Sequence, residues 1–432
     1  MKNGEPTLIE EQRMKKEEAL ARYSQSGSPF PLHFPPLTSA ARWITFMLII
    51  ILHSSFLILH SNAQTDSLLF ERNYHVDSLS MGELAVEIDN VSFFKDNEYD
   101  GISVTGYTLP GLWIQPKATY QPLQNLTLEL GFHSLIYAGK VKYPNSAYQD
   151  LPFWKGQDYT SGTHILPFFR ANLQMGKIHV VLGNIYGGRN HHLIEPLHSR
   201  ELNLTSDPEM GLQFIADLNH WHLDTWVNWQ SFIFKTDTHQ EAFTYGGNSE
   251  LKFGRWTVPL QVVLQHRGGE IQKEDAHVGV QTVINGAGGV RYEQPIDTRW
   301  LTKVTVETEG TLYVQQSGKL FGYDNGWGIY AHSLFDFKPG IRFDLGYFHS
   351  DRYVPVFGDG HYSSINTNDR SVLSGNVNTL SAGLEWSRSF SKNYAFGCRA
   401  EAYYVSTGRK NAFDFNFGVF LKANPRFLIK KF

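Results

Sequence analysis

A single cysteine, Cys398, stands among 432 residues, so no internal disulfide can hold this chain together. There is no basic cluster, and a formal net charge of -4 offers no electrostatic footprint for a nucleic-acid partner. A P-loop, a dinucleotide fingerprint and a G-x-S-x-G elbow are all missing. Read from motifs alone, the chain is therefore not an enzyme, carries no catalytic residue and calls for no cofactor. Apart from one segment near the start there is no run of about 18 apolar residues, which excludes a bundle of membrane helices. The mean hydropathy of -0.31 would suit a water-soluble protein.

The exceptional segment is 43–59, apolar but for Thr45, His53, Ser54 and Ser55 and preceded by Arg42. Ser61 and Ala63 then supply the small residues of a signal-peptidase site. Residues 1–63 are expected to be an N-terminal extension plus a cleaved signal peptide, cut after Ala63. An uncleaved inner-membrane anchor is the alternative. Residues 64–82 would follow as a periplasmic segment, and 83–432 as the folded domain.

What that domain has in quantity is alternation. Leu126, Leu128, Leu130, Phe132 and Ile136 share one parity while Thr127, Glu129, Gly131 and His133 take the other, the period-2 pattern of a strand with one greasy and one wet face. A soluble sandwich shows the same pattern, so the connectors decide. Tight turns rich in Gly, Pro, Asn or Lys are expected at 122–125, 174–177, 218–221, 253–256, 338–340 and 391–393, with 291–299 as a wider turn or bulged strand end. Between them lie longer polar stretches at 97–105, 139–161, 187–209, 235–241, 267–277, 315–325, 351–376 and 406–411. Short turns on one side and long loops on the other predict an all-β fold, a single closed antiparallel transmembrane β-barrel of about 16 strands (roughly 14 to 18), with short periplasmic turns and long extracellular loops. The 14% of aromatic residues supplies the interfacial girdles such a barrel needs, with Trp113, Trp221, Trp256, Trp327 and Trp386 near predicted strand ends.

The last segment alternates cleanly through Phe413, Phe415, Phe417, Val419 and Leu421, and the chain stops at Phe432. With the export segment and the repeated amphipathic strands, it resembles the porin-like outer-membrane β-barrel proteins of Gram-negative bacteria over nearly all of 64–432. The resemblance implies an outer-membrane location, contact with outer-membrane lipid, recognition of Phe432 by the barrel-insertion machinery and possible homo-oligomers. Phe432 is out of phase with Phe427 and Ile429, which calls for an intervening bulge.

If the apolar parity meets lipid, the other lines the lumen: Glu129, His133, Arg170, Asp217, Asp224, Gln261, Gln265, Lys303, Glu307, Glu309, Arg342, Asp344, Glu385, Arg399, Glu401, Asp414 and Lys422. Arg or Lys facing lipid at the midplane of a barrel would cost roughly 2–4 kcal/mol, so these groups need water or one another. A barrel this wide can enclose an aqueous channel, and passive diffusion of small hydrophilic solutes is the expected function. A sealed scaffold of an envelope complex is one alternative.

The stretch after Gly188 is the least repetitive, and Arg189, His191, His192, Glu195 and His198 form a candidate constriction or ligand loop. Their spacing matches neither H-E-x-x-H nor H-x-x-E-H, so no metal is assigned. With Ser199 they make a rim-borne enzyme site the other alternative. Aromatic residues gather in two loops, Tyr143, Tyr148, Phe153, Trp154 and Tyr159 in one, Tyr353, Phe357, His361 and Tyr362 in the other. Stacking on sugar rings and self-packing are both open for them.

Overall fold

The computed structural model describes residues 65–102, 104–138, 161–231, 240–269, 279–367, 369–408 and 410–432. The expected signal peptide, the extension before it and the aromatic loop at 139–160 lie outside them. No helix among the described residues is long and apolar enough to cross a membrane, and the crossing is made by strands.

Wherever alternation was legible, a strand forms. They are β1 (Glu83–Asp100), β2 (Thr105–Leu123), β3 (Leu126–Ala138), β4 (Ser161–Met175), β5 (Ile178–Asn184), β6 (Met210–Asp217), β7 (Trp221–Ser231), β8 (Ala242–Phe253), β9 (Trp256–Arg267), β10 (Gln281–Pro295), β11 (Leu301–Ser317), β12 (Asn325–Phe337), β13 (Ile341–Asp351), β14 (Asn376–Ser391), β15 (Tyr394–Ser406), β16 (Asn411–Ala423) and β17 (Arg426–Lys431). From β1 to β16 each strand pairs antiparallel with the next, and the tight turns fall where Gly, Pro, Asn and Lys placed them. The stretch at 291–299 resolves into a longer β10 and a wide turn before Leu301.

Closure is made by β1, which pairs with β2 on one edge. On the other it meets β16 from Asn90↔Ala423 to Glu98↔Phe415, and β17 from Glu83↔Lys431 to Glu87↔Arg426. Strands β16 and β17 thus share one stave, interrupted at Asn424 and Pro425, and the sheet is a closed barrel of 16 strands plus one extra. Pro425 has no N–H to give the ladder, but its carbonyl accepts from Ile88 N at 3.1 Å. The pairing steps from Leu84↔Lys430 to Ala85↔Leu428, so Ile429 is bulged out. That bulge resets the phase of Phe432, whose N–H donates to Gly82 O (2.9 Å).

The two faces have opposite chemistry. Leu130 (67% exposed), Phe132 (60%) and Phe413 (63%) point outward, while Glu129, His133 and Asp414 are buried in the lumen. An exposed apolar exterior around a polar interior is a membrane barrel turned to hydrocarbon, since a closed sheet leaves no backbone group unpaired in lipid. Trp113, expected in a girdle, instead lies within β2, buried and pointing inward. Strands β5 and β6 have only 7 and 8 residues. Their connector therefore leaves the wall partway up and turns into the lumen.

Replacing Phe132 with Arg is expected to lower stability by roughly 2–4 kcal/mol in urea unfolding from lipid vesicles, because a charge is then placed in hydrocarbon. A change near zero would mean that this parity does not face lipid.

Candidate functional site

Among the described residues, three pieces of chain occupy the lumen. The first is the N-terminal segment. Helix α1 (Thr65–Phe70) buries Leu69 completely, sets Phe70 edge-on to Phe420 (5.8 Å) and accepts a hydrogen bond from Lys422 Nζ at Leu68 O (2.7 Å). Farther on, Tyr74 donates to Asp217 (2.7 Å) and Val76 N to the Gln174 side chain (2.8 Å). Residues of the expected periplasmic segment thus run along the inside of the wall.

The second piece is the loop 185–209, with a short helix α2 (Leu202–Thr205), and the third is the loop 352–375. Buried loop backbone must find hydrogen-bond partners, and wall side chains supply them. Asn248 donates to His191 O (3.0 Å), Gln261 accepts from Ile194 N (2.9 Å) and Trp113 donates to Asn203 O (3.1 Å). For the other loop, Asn285 donates to Val354 O (2.9 Å) and accepts from Val356 N (2.7 Å), while Thr379 donates to His361 O (2.6 Å). The two loops also bind each other, through Ser199 N to Phe357 O (2.8 Å) and Asp359 N to Glu195 O (3.1 Å). Gly358 permits that approach, because a Cβ there would overlap the Pro196 carbonyl. Tyr353, Phe357, His361 and Tyr362 are all buried in this contact, so the aromatic residues of this loop are self-packed.

Each loop carries a histidine stacked on a wall aromatic and placed between two carboxylates. His191 lies flat on Trp226 (3.4 Å, 6°), with Nδ1 at 2.7 Å from Asp224 and Nε2 at 3.2 Å from Glu209. His361 lies flat on Tyr403 (4.0 Å, 2°), with Nδ1 at 2.6 Å from Asp359 and Nε2 at 3.2 Å from Asp414. Burial opposes a charge on each ring, but two carboxylates outweigh it and push both pKa values up to about 9. Burial likewise opposes the charge of Glu209, but His191 prevails and holds its carboxyl down at about 2.

All the predicted lumen residues face inward. Glu129, His133, Arg170, Asp224, Gln261, Gln265, Glu307, Glu309, Arg342, Asp344, Glu385, Arg399 and Asp414 are buried, and Asp217, Lys303, Glu401 and Lys422 partly so. Protein partners stand where water was expected: Arg170 meets Glu129 (3.1 Å) and the carbonyls of Asn184 (2.6 Å) and Ile185 (3.0 Å). Of the candidate loop residues, Arg189, His192, Glu195 and His198 border one polar chamber at the turn end, whereas His191 is locked against the wall. Burial, with Arg200 opposing and Glu401 adding to it, holds the Glu195 carboxyl above the usual carboxylate range.

On the loop side, a cleft of about 40 Å³ is bordered by Ser199, Asp359 and His361 among Tyr99, Val104, Leu202 and Pro355. Ser199 Oγ donates to Asp359 at 3.4 Å, giving a line of contacts Ser199, Asp359, His361, Asp414. Of these, the sequence marks Asp414 as a lumen residue and Ser199 as a rim group, and it gives no chemical signal for the other two. Asp359 reads as a turn former, which it also is, accepting from His361 N at 2.9 Å. Among the described residues no three His, Cys, Asp or Glu side chains are grouped to hold a metal.

The fold and its interior define a membrane-spanning β-barrel whose lumen is occupied by its own chain. A family model described as "Lipid A 3'-O-deacylase-type" matches residues 76–432, and the protein belongs to that family. This overturns the expectation of a non-enzyme: the family is named for an ester-cleaving activity. Motif absence misled because an ester-cleaving site can be assembled from distant loops and strands without any local motif. No curated protein matches the chain. Among solved structures it is similar to the outer membrane protein OprD from Pseudomonas aeruginosa (11% identity, TM-score 0.39, 84% of this chain and 98% of that one). It is also similar to a loop-deletion mutant of OmpT, an outer membrane protein of Vibrio cholerae (9% identity, TM-score 0.44, 79% and 100%). At these values the likeness carries no argument about activity.

His191→Ala would leave Asp224 and Glu209 facing each other without their cation, an expected loss of about 3–5 kcal/mol in urea unfolding. For both histidines the folded pKa is raised, so their stabilisation is complete below the ordinary value of 6.5 and is lost as pH climbs through about 9. Amide exchange in residues 187–209 and 357–363, corrected for its intrinsic pH dependence, is expected to accelerate between pH 8 and 10. Unchanged protection across that range would refute the charged state of the rings.

Proposed function

We propose that this protein is an outer-membrane hydrolase that removes an acyl chain from the ester of a lipid A-type glycolipid, and that residues 1–63 are its removed export segment. The line of contacts Ser199, Asp359, His361, Asp414 at the loop end carries the reading. Two carboxylates and one imidazolium sum to one negative charge, so the group can take up one proton. Ser199 Oγ attacks the ester carbonyl and yields its proton to Asp359, the sugar hydroxyl leaves with that proton, and water then cleaves the acyl-serine to free the fatty acid. The order differs from a serine–histidine–aspartate relay, because the hydroxyl meets a carboxylate and the imidazolium stands behind it, balanced by Asp414. The cleft has room for an ester group and not for an acyl chain, which would extend out of its mouth.

A passive channel is the weaker reading. One continuous set of buried apolar residues joins Val91, Trp113, Trp226, Val263, Tyr313 and Phe348 of the wall to Leu197, Tyr353 and Phe357 of the loops. Apolar packing of that kind within the lumen favours closure, since hydrophobic constrictions close pores by dewetting.

The protein, reconstituted with lipid A and followed by mass spectrometry, is expected to release one fatty acid per lipid, and Ser199→Ala to slow release by about 100-fold or more. Release by the variant at the parental rate would remove Ser199 from the chemistry. No release by the parent would overturn the hydrolase. In planar bilayers the intact chain is expected to give no conductance steps, and steady steps would restore the channel.

A further inference from the structure

The turn end of the barrel, which faces the periplasm, is not uniform around its rim. Four consecutive turns each present a cation. The β8–β9 turn holds Arg255, the β10–β11 turn Arg299, the β12–β13 turn Lys338 and the β14–β15 turn Lys392, against Asp297 as the one acid in these connectors. All four cations are exposed, and none has a carboxylate partner among the described residues.

The rest of the rim differs. The turns after β2, β4 and β6 hold a single Lys or Arg, Lys177, whose ammonium donates to the Asn219 side chain. On the closing stave Arg426 is matched to Glu83 (3.0 Å) and Glu87 (2.9 Å), and Lys431 to Glu83 (3.2 Å). Lys430 is the exception there, standing 4.3 Å over the Phe432 ring on the stave next to β15, and it adds to the same field.

Backbone hydrogen bonds join the basic turns to the neighbouring hairpins. Glu293 N donates to Arg255 O (2.9 Å), Lys338 N to Trp300 O (2.8 Å) and Ser387 N to Gly340 O (3.0 Å), so the four turns form one shelf.

That shelf borders the lipid-facing wall. Arg255 donates to the Gln294 side chain (2.5 Å), which also accepts from the Tyr292 hydroxyl (2.9 Å), and the Tyr292 ring meets the exposed Trp256 (4.7 Å). Arg299 lies 5.3 Å over the exposed Trp300 ring. Arg388, near the turn end of β14, continues the outward parity of Leu380, Leu384 and Trp386 and lies 5.9 Å from the exposed Phe390 ring. An outward arginine is costly at the bilayer midplane and nearly free at its edge, so Arg388 marks the level of the headgroups. A ring at that level with a cation beside it places its face against the upper acyl chains and its charge among phosphates.

From this unneutralised row of cations and its continuity with the lipid-facing wall, we infer that the turn-end sector from β8 to β15 is a binding surface for anionic phospholipid of the periplasmic leaflet. The lipid phosphates lodge among Arg255, Arg299, Lys338, Arg388 and Lys392, with the acyl chains on the aromatic belt beside them. A zwitterionic headgroup gains less, because its ammonium finds only Asp297 among the four turns, whereas a headgroup with net negative charge is attracted by every cation of the row. The surface lies outside the lumen and does not depend on the hydrolase reading.

The test titrates the full chain, purified in a non-ionic detergent, with phosphatidylglycerol and with phosphatidylethanolamine of the same acyl chains, and reads bound lipid by native mass spectrometry. Phosphatidylglycerol is expected to bind about fivefold tighter or more, and inorganic phosphate at the same concentration not to displace it. The triple variant Arg299→Gln, Lys338→Gln, Lys392→Gln should bring the two lipids within about twofold of each other, while Lys177→Gln on the opposite side of the rim should keep the parental preference. Retention of a heat-modifiable band on gels checks folding. If the triple variant fails to fold, the three single variants replace it, each expected to lower the preference by about 1.5-fold or more. Equal binding of the two lipids by the parent, a preference indifferent to these substitutions, the same loss in Lys177→Gln, or displacement of the lipid by inorganic phosphate would overturn the inference.

Discussion

Peptide groups buried inside a barrel need hydrogen-bond partners, and nearly everything distinctive about this protein follows from how that need is met. The wall satisfies its own backbone through the closed ladder, as any membrane barrel must. The loops 185–209 and 352–375 have no ladder, yet they lie in the lumen. Asn248, Gln261, Asn285 and Thr379 act as the missing strand neighbours, each projecting from a wall stave to a loop carbonyl or amide. Each such bond is worth about 1 kcal/mol net when made and costs about 1–3 kcal/mol when one side is left bare, so the polar lumen and the loops specify each other.

The same need explains why the inner face is polar without being wet. Inward carboxylates and guanidinium groups pair, as Arg399 does with Glu385 and Arg170 with Glu129, and the apolar patches of the loops close over the space between. Alternation in a strand reports only that a side chain faces away from lipid. Whether it then meets water or another loop depends on chain tens to hundreds of positions away.

That boundary is where legibility in the sequence ended. The strands, the tight turns and the bulge before Phe432 are local: period-2 patterning, turn residues and a phase mismatch are each visible within a dozen positions. The inward course of residues 185–209 could be suspected from their irregular composition but not placed, because it depends on β5 and β6 ending low in the wall. Trp113 misled, since an indole near a predicted strand end fits a girdle as well as it fits the Asn203 carbonyl it serves. His361 had the weakest signal of all. Its partner Asp359 looked like a turn residue, and its other partner Asp414 is 53 positions away by numbering, joined to it only once the barrel has closed.

The two seated histidines show why the loops are fixed by charge rather than by packing alone. A buried carboxylate pair such as Asp224 with Glu209 would repel, and an apolar residue between them would leave both charges unsatisfied. An imidazolium between them cancels one charge, donates one N–H to each carboxylate and lays its flat face on Trp226. A related arrangement, His361 bonded to Asp359 and 3.2 Å from Asp414 over Tyr403, places a charged group beside Ser199. In the proposed hydrolase the element that fastens the second loop would also supply its chemistry, so displacement of that loop from the lumen would dismantle the cleft along with the anchor.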